Sequence, residues 1–252
     1  MREAGHTFLA RMGKKRLRPG GRKGTEWLLA KGAFTPETRV LEAACNMGTT
    51  AIELVKRYGC SVTACDLDAA ALEKAEKNVR KAGLADKITL HQADATALPF
   101  DDESFDVVLN EAMLTMLPPG GKVKAVASYY RVLRRGGVLL THDVALVAQS
   151  PEEQRRICQE LSGAINVPVS PLTVDRWTAL FAEAGFSATD HLAGRMTLMS
   201  VGGMLYDEGL GNTLRIVRNA VKPANRPMFM GMRNVFLKRE KQLGFIVVAS
   251  RK

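Results

Sequence analysis

The 252-residue sequence has no Cys-x-x-Cys pair, no internal repeat, no low-complexity tract and no apolar run near the ~20 residues that a membrane span needs. Its four cysteines, Cys45, Cys60, Cys65 and Cys158, lie mostly in or beside apolar segments, which reads as buried reduced thiols and excludes a disulfide framework. His6, His91, His142 and His191 lack ligand spacing with one another or with the cysteines, so no metal site is expected. Residues 1–11 hold no long apolar stretch, and a soluble cytoplasmic protein is expected. Gly-x-Gly-x-x-Gly is missing too, which excludes a dinucleotide pyrophosphate cradled on bare backbone at a helix N-terminus. No aromatic residue interrupts the basic run 14–23, so stacking of single-stranded RNA bases has no platform there.

What is present is a chain with 46% hydrophobic residues, enough to bury a sizeable core as one α/β domain with an elaboration. The net charge of +10 is uneven: residues 1–23 carry eight Lys/Arg against one acid, residues 214–252 ten against one, and the middle 18 against 24. Positive charge therefore belongs to the two ends. Such a rim attracts anions, whether nucleic acid, an acidic membrane surface or a carboxylated or phosphorylated small molecule, and selects none of them.

Hydrophobic patterning alternates strand and helix. Short β-branched runs at 39–44, 61–65, 88–92, 105–110 and 137–143 predict strands, with helices at 49–58, 68–82 and 122–133 between them and a short helix at 25–33 before them. Asp68 is placed to cap a helix start, Gly83 a helix end, and residues 118–121 read as a loop before a helix. Helices at 149–164 and 173–184, a strand starting at 187–191 and a final strand at 244–250 follow, leaving 202–243 as an insertion of about forty residues. This order predicts a mostly parallel sheet covered on both faces, with ligands outside the carboxyl ends of the strands.

At those ends the side chains are suggestive. The first strand ends in Glu42-Ala43-Ala44-Cys45-Asn46-Met47-Gly48 and the second in Asp66, whose carboxylate can accept from both hydroxyls of a ribose. Here the chain resembles the class I S-adenosylmethionine-dependent methyltransferases, particularly the ubiquinone/menaquinone-biosynthesis type and its small-molecule relatives, over roughly residues 18–186. The family's acid-x-Gly-x-Gly-x-Gly loop lands on Glu42, Ala44, Asn46 and Gly48, so one glycine of three remains. Asn visits left-handed backbone readily; Ala44 is the harder departure.

The resemblance implies a Rossmann-like fold, a doubly wound and mostly parallel seven-stranded sheet with an antiparallel last strand. It implies S-adenosyl-L-methionine as cofactor, held by Glu42, the loop Ala44, Cys45, Asn46, Gly48 and Thr49, by Asp66 and Leu67 at ribose and adenine, by Asp94 and Ala95 at the adenine edge, and by Asn110. Residues 1–34 are expected to form a basic segment and helix that closes over the cofactor, with Arg18 reaching the methionine carboxylate and Gly20 allowing close backbone approach; a basic arm outside the domain is the alternative. Residues 35–252 then form the methyltransferase domain, with a lid-like insertion at about 202–243. Six of the eleven methionines fall within 196–232, suited to an adaptable apolar wall or to ordinary core packing.

The acidic run 101–106 reads as a solvated turn, because acids so dense would repel one another in a buried site. Glu111, or His142 beside Asp143, is the expected proton acceptor, since methyl transfer asks the protein for alignment, dryness and removal of a proton. The stretch Asn110-Glu111-Ala112-Met113 lacks the Pro-Pro-aromatic platform of relatives that methylate adenine or cytosine amines. A small-molecule methyl acceptor is therefore expected, with nucleic acid not favoured. An RNA methyltransferase, suggested by the basic ends, and a noncatalytic cofactor-binding protein, suggested by the eroded loop, are the alternatives.

Overall fold

A computed structural model describes residues 3–147 and 150–252. Its strands are β1 (Arg39–Ala43), β2 (Ser61–Asp66), β3 (Ile88–Gln92), β4 (Phe105–Glu111), β5 (Leu133–Leu146), β6 (Leu172–Thr173), β7 (Ala188–Arg195) and β8 (Leu243–Arg251). Seven of them run side by side in the order β3-β2-β1-β4-β5-β8-β7, and the two-residue β6 pairs with the end of β5. β1 to β5 are parallel, whereas β8 is antiparallel to both of its neighbours. The expected seven-stranded sheet with an antiparallel last strand is thus observed.

The central strands are apolar on both faces because helices cover both. One face packs against α2 (Gly21–Lys31), α3 (Thr49–Tyr58) and α4 (Ala69–Ala82) through Leu28, Leu54 and Val79. The other packs against α5 (Pro119–Val132) and α7 (Val174–Glu183) through Tyr129, Trp177 and Phe181. Each such side chain contributes about 1.5–3 kcal/mol by leaving water, which holds the strand ends level with the helix N-termini. Asp68 caps α4 by accepting from the Ala70 N–H at 2.9 Å, and Gly83 ends it in the left-handed conformation.

The first helix of the sheet domain begins earlier than its hydrophobic pattern suggests, at Gly21, and β5 begins at Leu133, where it meets Phe105 across the sheet. The expected helix at 149–164 is α6 (Pro151–Ile165), and Gln149 lies outside the described residues. The acidic run is the turn entering β4: Asp101, Asp102 and Glu103 are exposed, and Asp106 is tied to Arg39 and Arg134.

The segment between β7 and β8 folds into α8 (Val201–Ala220), bent at Gly209, and α9 (Arg226–Lys238). These pack with α1 (Gly5–Met12) around Phe8, Leu9, Met12, Met204, Ile216 and Phe229. The two basic ends of the chain therefore meet in one helical cap beside the carboxyl ends of the strands. Buried Lys14 lies 3.7 Å from Glu208, and Glu208 also accepts from the Lys15 and Arg16 N–H groups.

Candidate active site

After β1 the chain turns through Ala44-Cys45-Asn46-Met47-Gly48 into α3, with φ of +58° at Ala44, +49° at Asn46 and +70° at Gly48. All three positions where the resembling family carries glycine are left-handed here, two of them without glycine. Four hydrogen bonds hold the loop: Cys45 N–H to Cys65 O at 2.9 Å, Asn46 N–H to Asp66 Oδ2 at 2.8 Å, Gly48 N–H to Cys45 O at 2.9 Å, and Asn78 Nδ2–H to Met47 O at 3.0 Å. An alanine in this conformation costs about 1–2 kcal/mol, partly offset by the entropy that glycine would lose on folding. Ala44→Gly is accordingly expected to raise the melting temperature by about 2–4 °C in scanning calorimetry.

The loop forms one wall of a cleft of about 300 Å³ at the strand ends. Arg18, Glu42, Ala44, Cys45, Asn46 and Thr49 line it from β1 and the cap side. Asp66, Leu67, Asp94, Ala95 and Glu111 complete it from β2, β3 and β4. Asp66 accepts from the Asn46 and Asp68 N–H groups, one per oxygen, which fixes the carboxylate and leaves each oxygen capacity for another donor. Leu67 is 67% exposed at the end of a buried strand, an apolar face turned to the cleft wall. Asp94 accepts from the Thr96 N–H and hydroxyl through Oδ1 alone, both at 2.8 Å.

The floor of the cleft holds a buried charge network. Arg18 Nε lies 2.8 Å from Glu111 Oε2, and its two amino groups donate to Thr25 and Thr50. Thr25 and Thr50 in turn donate to Glu111, each at 3.1 Å. Burial alone would raise the Glu111 pKa, but Arg18, His142 and Thr50 outweigh it and bring it down to about 2. Glu42 behaves oppositely. Burial first, and then the Glu111 charge, push it up to about 8 against the pull of Arg18 and Thr50. Its Oε2 is buried with no hydrogen-bond partner among the described residues.

Four predicted site residues stand elsewhere. His142, expected at the substrate, is fully buried on the α2 face: Gly20 N–H donates to its Nε2 at 2.9 Å, which leaves the proton on Nδ1, 3.3 Å from Glu111. It holds the turn that enters α2 and does not line the cleft. A Cβ at Gly20 would lie 2.5 Å from the Phe245 ring and 2.9 Å from His142 Nε2, so this glycine serves close packing on both rings and is not in the cleft wall. Asn110 is buried within the sheet and donates to Thr141 at 2.9 Å, while Gly48 caps α3; neither lines the cleft. Cys45 does line it, but burial, followed by the charges of Glu42 and Asp66, drives its thiol pKa far up, which leaves it unreactive.

A second cavity, of about 90 Å³, opens beneath the cap and shares His6, Leu17, Ala112 and Met116 with the cleft. Its remaining walls are mainly apolar, among them Leu9, Leu198, Met232 and Phe236, with Thr115 and Asp143 as polar points. His6 was missed by sequence reasoning. It sits on α1, nothing local marks it, and the packing of α1 on α6, α8 and α9 carries it to the junction. Its Nδ1 is buried without a hydrogen-bond partner among the described residues, and burial lowers its pKa against the raising influence of Asp66 and Asp68.

These residues fit S-adenosylmethionine. The orphaned Glu42 oxygen suits an ammonium, the Asp66 carboxylate a ribose diol and the bare Leu67 side chain an adenine face, and the open first turn of α3 at Thr49 and Thr50 suits a carboxylate. Comparison with known proteins agrees. A family profile described as "Methyltransferase domain" matches residues 40–137. An uncharacterized protein of Haemophilus influenzae is 53% identical, covering 99% of this chain and 98% of its own. The uncharacterized methyltransferase YodH of Bacillus subtilis is 30% identical across 74% of this chain and 76% of its own. Among solved structures, phosphoethanolamine N-methyltransferase 2 of Haemonchus contortus in complex with S-adenosyl-L-methionine superposes with a TM-score of 0.75 at 17% identity, covering 97% of this chain and 56% of that one. The chain belongs to the class I S-adenosylmethionine-dependent methyltransferases. Its cofactor is S-adenosylmethionine.

Proposed function

We propose that this enzyme methylates a small, largely apolar molecule held in the cavity beneath the cap, with His6 accepting the proton that the acceptor sheds. The observation that carries this reading is the apolar cavity itself, which meets the cofactor cleft along His6, Leu17, Ala112 and Met116. When bound, S-adenosylmethionine supplies an electrophilic methyl group on a sulfonium. The chain supplies a dry wall, polar points at Thr115 and Asp143 to orient the acceptor, and an unpartnered imidazole nitrogen. Glu111 does not compete for the proton, since Arg18 holds it ionised and hydrogen-bonded.

The fate of the N-terminal charges supports a small molecule over RNA. Lys14 is buried beside Glu208, Arg16 reaches Glu53 at 3.4 Å, and Arg18 is buried against Glu111, so half of the basic run turns inward. The retained left-handed loop supports an active enzyme over a noncatalytic relative.

The test incubates the protein with methyl-labelled cofactor and either an organic-soluble metabolite extract or total RNA, with Asp66→Ala as the cofactor-blind control. Label entering the organic phase with wild type alone is expected; label only in RNA would overturn the reading. With the acceptor in hand, His6→Asn is expected to lower kcat by about 10²–10⁴-fold with little change in the cofactor's KM. The wild-type rate should rise with pH through an apparent pKa below the usual histidine value, and the variant should lose that limb.

A further inference from the structure

We propose that the outer face of α8 docks on an anionic lipid surface. After the bend at Gly209, Leu210, Leu214, Val217 and Val221 follow one another at helical spacing and are 68%, 60%, 43% and 62% exposed. Arg215, Arg218 and Lys222 form a parallel exposed row on the immediate flank of that stripe. Thr213, Ile216 and Ala220, which adjoin the stripe on the side away from the basic row, are buried in the cap, whereas the stripe itself joins no hydrophobic cluster among the described residues. None of the three cations is paired with an acid among the described residues. No acid occurs from residue 209 to residue 239, and the two that precede the bend, Asp207 and Glu208, are engaged with backbone N–H groups of the N-terminal segment.

Charge decides the occupant. A second copy packed antiparallel about a two-fold axis on this stripe would set the two basic rows against each other, and the face offers no carboxylate to neutralise them. An anionic bilayer surface satisfies both halves at once: the apolar row enters the acyl boundary while the cations meet headgroup charge. The proposal rests on this face alone and is independent of the methyl acceptor.

The test is co-sedimentation of the full chain with vesicles of phosphatidylcholine alone or of phosphatidylcholine with one-third phosphatidylglycerol. Wild type is expected to partition at least about tenfold more strongly onto the anionic vesicles at low salt and to lose that preference at high salt. Arg218→Gln with Lys222→Gln should weaken partitioning on the order of 30-fold. Leu214→Glu should abolish it at every salt concentration while leaving the thermal melt and cofactor binding unchanged. Failure of wild type to bind anionic vesicles, equal binding to both compositions, or unaltered binding by the variants would each overturn the proposal. So would a dimer in analytical ultracentrifugation that Leu214→Glu dissolves without any vesicle binding, or retention on RNA that Leu214→Glu leaves intact and vesicles do not displace.

Discussion

Glu111→Leu is expected to destabilise the protein by about 3–5 kcal/mol at neutral pH, because it strands the buried Arg18 guanidinium without its carboxylate. Glu42 lies close enough to be affected by the Glu111 charge and would ionise in compensation, which favours the lower end of that range. The damage should concentrate where Arg18 ties the cap to the sheet, so limited proteolysis is expected to cut residues 13–20 early while the sheet domain survives. Adding Arg18→Met should recover much of the loss in thermal melts, as removing both partners of a buried pair does. A general base at Glu111 would give the opposite pattern: intact folding, lost turnover and no rescue. The pH dependence carries a sign. The folded pKa of Glu111 is about 2, below the usual carboxylate value, so its contribution is fully present above pH 4.5 and is lost as pH falls towards 2.

Glu42→Gln is expected to separate stability from cofactor binding. Burial raises the folded pKa of Glu42 to about 8, so its contribution to stability is fully present below pH 4.5 and declines as pH rises to 8. Glutamine removes that penalty, and the ligand-free variant should gain on the order of 3 kcal/mol over wild type at pH 8 and nothing at pH 4.5. Cofactor affinity should fall by roughly 10- to 100-fold, the worth of a hydrogen bond between charged groups. In the wild type at pH 7 most Glu42 side chains start protonated, and meeting an ammonium would expel close to one proton. Calorimetry in two buffers of different ionisation enthalpy reads that number directly. Binding without proton release would show that Glu42 does not meet the cofactor's ammonium.

The sheet was legible because parallel strands covered on both faces must read as short apolar runs, and those runs stand in this sequence at 39–44, 61–65, 88–92 and 105–110 with little competition. The place of Asp66 and Leu67 in the cleft wall was legible for the same reason, since both stand at the carboxyl end of such a strand. His142 misled because a strand end has two faces. Leu140 packs on the side of α2 and α3, and the period of two places His142 on that side, paired across the strands with Glu111, while Asp143 turns to the apolar cavity. The left-handed turn at Asn46 was legible because Asn adopts that backbone readily; at Ala44 it was not, since there the conformation is sustained by hydrogen bonds of the neighbouring residues and not by residue type. His6 and the cap were beyond local reading. Their contacts join residues 5–12 to residues 196–239, a separation across which no periodicity or capping signal carries information.

β8 fills the place between β5 and β7, yet it lies at residues 243–251 of the chain. During synthesis, β5 must wait for about a hundred residues, and β7 for about fifty, before the strand that pairs with both emerges. Until then two strand edges stand open towards each other across a gap one strand wide, a configuration prone to pairing with other chains or with each other in the wrong register. The molecule therefore commits its fold late, by insertion of a strand rather than by growth at an edge.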